Sequence, residues 1–131
     1  DGYYPIIALQ RIQQECYNFF SNACVEAFDR ILIGNLAEIP EDEIRSTSMV
    51  IDTLEAAMWS LATTRNFEQA VIRAVNLGND TDTVGAVTGA MAGVYYGIQA
   101  IPKRWLNKLI RSNELEDIAT RFAKTKVIFD L

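Results

Sequence analysis

Apolar residues recur three and four positions apart along almost the whole chain. Ile6, Ile7, Leu9, Ile12, Cys16, Phe19, Phe20, Cys24, Phe28, Ile31 and Leu32 follow this spacing, which puts them on one face of a helix. The pattern predicts one long helix, or two with a break near Ser21 and Asn22, ending at Gly34. A polar loop over residues 35–45 follows, with Pro40 and the acidic run Glu41-Asp42-Glu43, which reads as a solvated loop. Thr47 or Ser48 is placed to cap a helix over residues 49–63. Asn66, with Gln69 three residues on, reads as a capping box for a helix over residues 67–77, stopped by Gly78. Asp80 or Asp82 opens the next helix, which ends near Gly97. Pro102 opens a short helix through residue 110, and Asn113 with Glu116 gives a second capping box for a helix over residues 114–124. Only the tail over residues 127–131 shows any period-two alternation. The expected fold is all-α, a multi-helix bundle forming one domain over residues 1–131 or part of a larger all-α domain.

The helix that begins near Asp80 has an unusual face. Gly85, Gly89, Gly93 and Gly97 recur every four residues and so lie along one stripe that lacks side chains. Such a stripe lets another backbone approach closely, and Gly89→Leu is expected to overpack it. Residues 84–101 carry no charge and have the GxxxG spacing of membrane helices. Their content of Gly, Ala and Thr makes transfer to lipid weak, two Asp stand at the start, and no second candidate span exists. A buried helix is the better reading.

Composition narrows the chemistry. The 131 residues are 50% hydrophobic, enough for a real core. A net charge of −5 argues against nucleic acid as partner. There is no His, so the commonest general base and zinc ligand are missing. Cys16 and Cys24 are eight residues apart on one predicted helix, about 12 Å at the standard rise and too far for a disulfide. They read as reduced core residues of a cytoplasmic protein.

The stretch richest in chemistry is Gly78-Asn79-Asp80-Thr81-Asp82-Thr83. Nearly every side chain in it carries oxygen, and two carboxylates two residues apart with a hydroxyl beside them suit a hard cation such as Mg²⁺ or Ca²⁺. The plain alternative is an N-cap and a first-turn acid favoured by the helix dipole. An EF-hand does not fit: with Asp80 at position 1, Val84 falls at position 5 and Met91 where a bidentate Glu is needed. Glycosyltransferase-type metal motifs belong with a parallel sheet, which this pattern does not predict. Trp59, Trp105, Tyr95 and Tyr96 sit among apolar residues and read as core or interface. Asp52 and Glu55 read as exposed acids of their helix.

Residues 76–86, followed by Gly89-Ala90-Met91-Ala92-Gly93, Tyr95-Tyr96-Gly97 and Ile101-Pro102-Lys103-Arg104-Trp105, resemble the C-terminal signature of ADP-ribosylglycohydrolases of the dinitrogenase reductase-activating type. Upstream, residues 50–59 and 67–71 resemble the same family in the same order. The resemblance covers residues 46–109, about half the chain. It implies an all-α bundle and hydrolysis of an α-linked ADP-ribose from a protein or small molecule, with two Mg²⁺ at the site. Asp80, Asp82 and Thr83 fall on metal-ligand positions of that family. The family's substrate-lining loop commonly reads Gly-Tyr-Val, where this chain has Ser48-Met49-Val50. Ser48 and Met49 are thereby expected at the substrate, without the aromatic ring.

The family's other metal ligands, a Thr-Asp-Asp type cluster, and its N-terminal acidic motif have no counterpart in residues 1–45. The chain thus resembles the C-terminal half of such an enzyme, and no catalytic residue is assigned from it. An upstream half of the same protein, or a second copy, is the expected partner. A non-catalytic binding or interaction module that keeps the fold is the alternative.

Overall fold

The computed structural model describes residues 28–32 and 35–125, together with Ile7, Gln10 and Arg11. Most of the expected helix over residues 6–32, Cys16, Cys24, Gly34 and the tail over residues 127–131 lie outside the described residues. Among the described residues, every regular element is helical. The chain divides into two units, Asp1–Ala100 and Ile101–Leu131.

In the first unit, α1 (Asp29–Leu32) is followed by two 3₁₀ turns, Leu36–Glu38 and Glu41–Glu43, then α2 (Val50–Ala62), α3 (Phe67–Asn76), α4 (Thr81–Tyr96) and a 3₁₀ turn, Ile98–Ala100. Helix α4 packs against both α2 and α3. Val84, Thr88 and Ala92 face inward at four-residue spacing and are fully buried. The Thr88 hydroxyl is satisfied within the helix, donating to the Val84 carbonyl at 2.7 Å. Ala56, Ala70, Ala74 and Ala92 are also fully buried, and these short side chains let the three helices approach closely. Ile31, Leu36, Ile44 and Trp59 complete the core with Ala56, Ala74 and Val84. The Trp59 indole N–H donates to the Ile39 carbonyl at 2.9 Å, and the Arg73 guanidinium lies 5.1 Å from the ring centroid. Trp59 is therefore a core residue, as its apolar setting suggests.

The helix starts differ in kind. Asn66 caps α3 as its spacing predicts, its side-chain oxygen accepting from the Gln69 N–H at 2.8 Å. The return bond of a full capping box is displaced by one residue: Gln69 Oε1 accepts from the Arg65 N–H, at 3.2 Å. Neither Thr47 nor Ser48 stands at the cap of α2. Met49 does, without a side-chain hydrogen bond.

The glycine stripe of α4 is only partly a close contact. A Cβ built on Gly85 would lie 2.9 Å from Val75 Cγ1 on α3, and one on Gly89 would lie 4.0 Å from Val71 Cγ2. At Gly93 nothing lies within 4 Å. The tight approach is thus confined to the first turns of α4, and the expected overpacking belongs to Gly85 rather than Gly89. Gly97, at φ +79°, terminates the helix in a backbone region suited to glycine.

Glu55 departs from expectation too. It is not an exposed acid of α2 but only 6% exposed. Its carboxylate pairs with Arg30 Nε on α1 at 3.2 Å. Burial pushes its pKa above the ordinary carboxylate value, with the Arg30 charge acting against that rise.

In the second unit, α5 (Lys103–Leu106) follows Pro102 and ends before the expected residue 110. Helix α6 (Ser112–Lys124) begins earlier than the Asn113 cap predicts. Arg111 takes the N-cap place at φ +60° without a side-chain cap bond, and its guanidinium pairs with Glu114 on the surface one turn on. Leu115, Ile118 and Phe122 of α6 are exposed. No helix among the described residues is long and apolar enough to cross a membrane.

Candidate functional site

Helix α3 ends at Asn76, and the chain reverses through Gly78 at φ +83° and Asn79 at φ +55°. Both residues occupy the left-handed region, which glycine enters freely and asparagine tolerates better than most residues. The reversal delivers Asp80 to the start of α4. Asp80 holds the N-cap position but makes no side-chain cap hydrogen bond. Its Oδ1 instead accepts from the Thr83 hydroxyl at 2.9 Å. The exposed Asp82 carboxyl is held below the ordinary carboxylate range, first by hydrogen bonding with the Asp80 side chain, then by the backbone N–H groups of Asp82 and Thr83. Asp80 is therefore bonded to the Thr83 hydroxyl and is the first influence on the Asp82 carboxyl. Asp80 thus stands at the cap without a side-chain cap bond, while Asp82 sits in the first turn against backbone N–H groups, as the plain alternative expects.

The three side chains offer only oxygen, two of them carboxylates, on one turn of helix. That donor set fits a hard divalent cation. It is also incomplete for one. Mg²⁺ takes about six ligands, and among the described residues no group of three or more His, Cys, Asp or Glu is placed to hold a metal.

The second candidate stretch, Ser48 and Met49, lies on the loop that enters α2. Both residues are exposed. The loop is tied at two ends. Toward α2, the Thr47 hydroxyl donates to Asp52 Oδ2 at 2.6 Å and accepts from the Met49 N–H at 3.1 Å. The Thr53 hydroxyl donates to the Thr47 carbonyl at 3.1 Å. Toward α4, the Ser46 hydroxyl donates to the Gly78 carbonyl at 2.9 Å. The Asp80 N–H donates back to the Ser46 carbonyl at 3.0 Å. Two stretches more than thirty residues apart in sequence, read separately as substrate loop and metal turn, are thus directly joined through Ser46. Sequence reasoning passed over Ser46 because a serine in a polar loop follows no period. Asp52, an exposed acid by default but the more interesting of its helix's two for following the Ser46-Thr47-Ser48 segment, anchors this loop.

A cleft of about 190 Å³ lies between Arg30, Arg45, Asp52 and Glu55. With Asp29 also in its lining, three carboxylates face two guanidinium groups. Neither Asp80 nor Asp82 lines it.

The ADP-ribosylglycohydrolase family model matches residues 6–127. The ADP-ribosylarginine hydrolase Tri1 of Serratia proteamaculans is 50% identical over 93 residues, which cover 69% of this chain and 25% of that protein. The ADP-ribosyl-[dinitrogen reductase] glycohydrolase of Rhodospirillum rubrum is 38% identical over 72 residues, covering 55% of this chain and 24% of its own length. The mouse ADP-ribosylhydrolase ARH3 is 39% identical over 44 residues, covering 34% of this chain and 12% of its own length. The chain spans about a quarter of the length of the first two of these relatives. With the family model matching nearly all of it, the chain belongs to the ADP-ribosylglycohydrolase family.

Proposed function

We propose that these residues form part of a magnesium-dependent hydrolase that releases ADP-ribose from a modified protein. The observation that carries this reading is the Asp80–Asp82–Thr83 cluster: an N-cap carboxylate that makes no cap bond and accepts from the Thr83 hydroxyl, with a second carboxylate two residues on. Asp80, Asp82 and Thr83 would hold Mg²⁺ through their side-chain oxygens. Bound there, the metal would hold ribose hydroxyls and stabilise charge as the glycosidic bond breaks. The Ser48-Met49 loop, fixed beside the cluster through Ser46, would contact the substrate. The remaining ligands and the carboxylate that activates water would come from outside this sequence, in the same protein or a second copy. Relatives named for ADP-ribosylarginine and for ADP-ribosyl-dinitrogen reductase support an ADP-ribosylated protein as substrate, with arginine as the first linkage to try.

The test is release of ADP-ribose from an ADP-ribosylarginine-bearing protein. The complete protein should turn over in Mg²⁺ and lose activity on chelation. The 131 residues alone should show no turnover. A complete protein that binds Mg²⁺ without hydrolysing ADP-ribosylarginine, ADP-ribosylserine or free ADP-ribosyl conjugates would favour a binding module instead.

A further inference from the structure

We propose that Ser46 is a positioning residue that sets the geometry of the Asp80–Asp82 carboxylate pair, and so couples the metal turn to the substrate loop. The inference rests on the metal reading of that pair. Ser46 is 1% exposed, and a hydroxyl buried that deeply is costly unless bonded. It donates to the Gly78 carbonyl at 2.9 Å. Its own carbonyl accepts the Asp80 N–H at 3.0 Å. These bonds bracket Gly78 and Asn79, both at positive φ. Side-chain packing at these two residues does not fix the reversal: a Cβ built on Gly78 would meet nothing within 4 Å, and Asn79 is exposed. The two Ser46 bonds tie the turn itself to the loop that enters α2, while Leu77 just before it packs on the core. Ser46 is itself immobilised, because the next residue, Thr47, is bonded to Asp52 and Thr53 of α2. The carboxylates at the start of α4 are thereby referenced to α2 rather than left to the freedom of a two-residue turn. Ser48 lies two residues further on, so a shift in the turn reaches the substrate loop through one short rigid segment.

Supporting groups of this kind typically change metal affinity by about 10–100-fold when removed. The experiment is titration of the complete protein with Mn²⁺, followed by the loss of free-ion electron paramagnetic resonance signal. Ser46→Ala is compared with wild type and with Thr88→Ala. The second variant removes another buried hydroxyl from the same bundle, one that bonds only within α4. The expected result is a dissociation constant raised about tenfold in Ser46→Ala and unchanged in Thr88→Ala. Wild-type affinity in folded Ser46→Ala overturns the proposal, as does equal weakening in both variants, which would make the effect one of general stability. Absence of Mn²⁺ binding in wild type overturns the metal reading itself, and this inference with it. If Ser46→Ala does not fold, Ser46→Cys, whose thiol is only a weak donor in the same place, is titrated in its stead: weakened Mn²⁺ binding supports the brace, and wild-type affinity contradicts it.

Discussion

Asp82→Asn in the complete protein is expected to weaken Mg²⁺ binding by at least about 100-fold, with a parallel loss of ADP-ribose release. The substitution keeps size and shape but removes the charge. Asp82 is exposed, so the fold loses little. Its carboxyl is held below the ordinary carboxylate range, first through the Asp80 side chain and then by two backbone N–H groups. An amide cannot supply that charge, and loss of a direct ligand should exceed the roughly 10–100-fold seen for supporting groups. Calorimetric Mg²⁺ titration and initial rates at saturating substrate separate the two effects. Unchanged affinity would show that Asp82 is not a ligand.

The second large effect concerns the fold that presents the turn. Gly85→Leu is expected to destabilise the protein by about 1–3 kcal/mol or more, measured as a shift in the urea midpoint. The new Cβ alone would lie 2.9 Å from Val75 Cγ1. Val75 is β-branched and stiff at χ1, so α3 and α4 must move apart. Gly93→Ala is the contrasting case. Its Cβ would meet nothing within 4 Å, and replacing a helical glycine should stabilise by about 0.5–1 kcal/mol. If both substitutions acted alike, the helix contact at Gly85 would be misplaced.

The all-α fold was legible because its signals are local. Period-three-and-four apolar spacing, the Asn66 cap and the stops at Gly78 and Gly97 each depend on residues within one or two turns. The candidate cluster was legible for the same reason, since Asp80, Asp82 and Thr83 are neighbours in sequence. What escaped the sequence depends on tertiary neighbours. Glu55 is buried because Arg30, twenty-five residues earlier, supplies its counter-charge, and no pattern on α2 announces that. The glycine stripe looked uniform, but α3 has only ten residues and closes tightly on the start of α4 alone. Arg111 at the start of α6 took a left-handed conformation that asparagine or glycine would have signalled and arginine does not. Ser46 acts through a bond spanning 32 residues, which only the folded chain reveals.

The most direct measurement is the anomalous difference map of the complete protein crystallised with Mn²⁺ and ADP-ribose. The account predicts a peak within direct bonding distance of the Asp80 and Asp82 carboxylates and the Thr83 hydroxyl, with ribose oxygens on the same ion and Ser48 and Met49 lining the ligand. A metal held elsewhere, or ADP-ribose bound with no metal at these three residues, would contradict it.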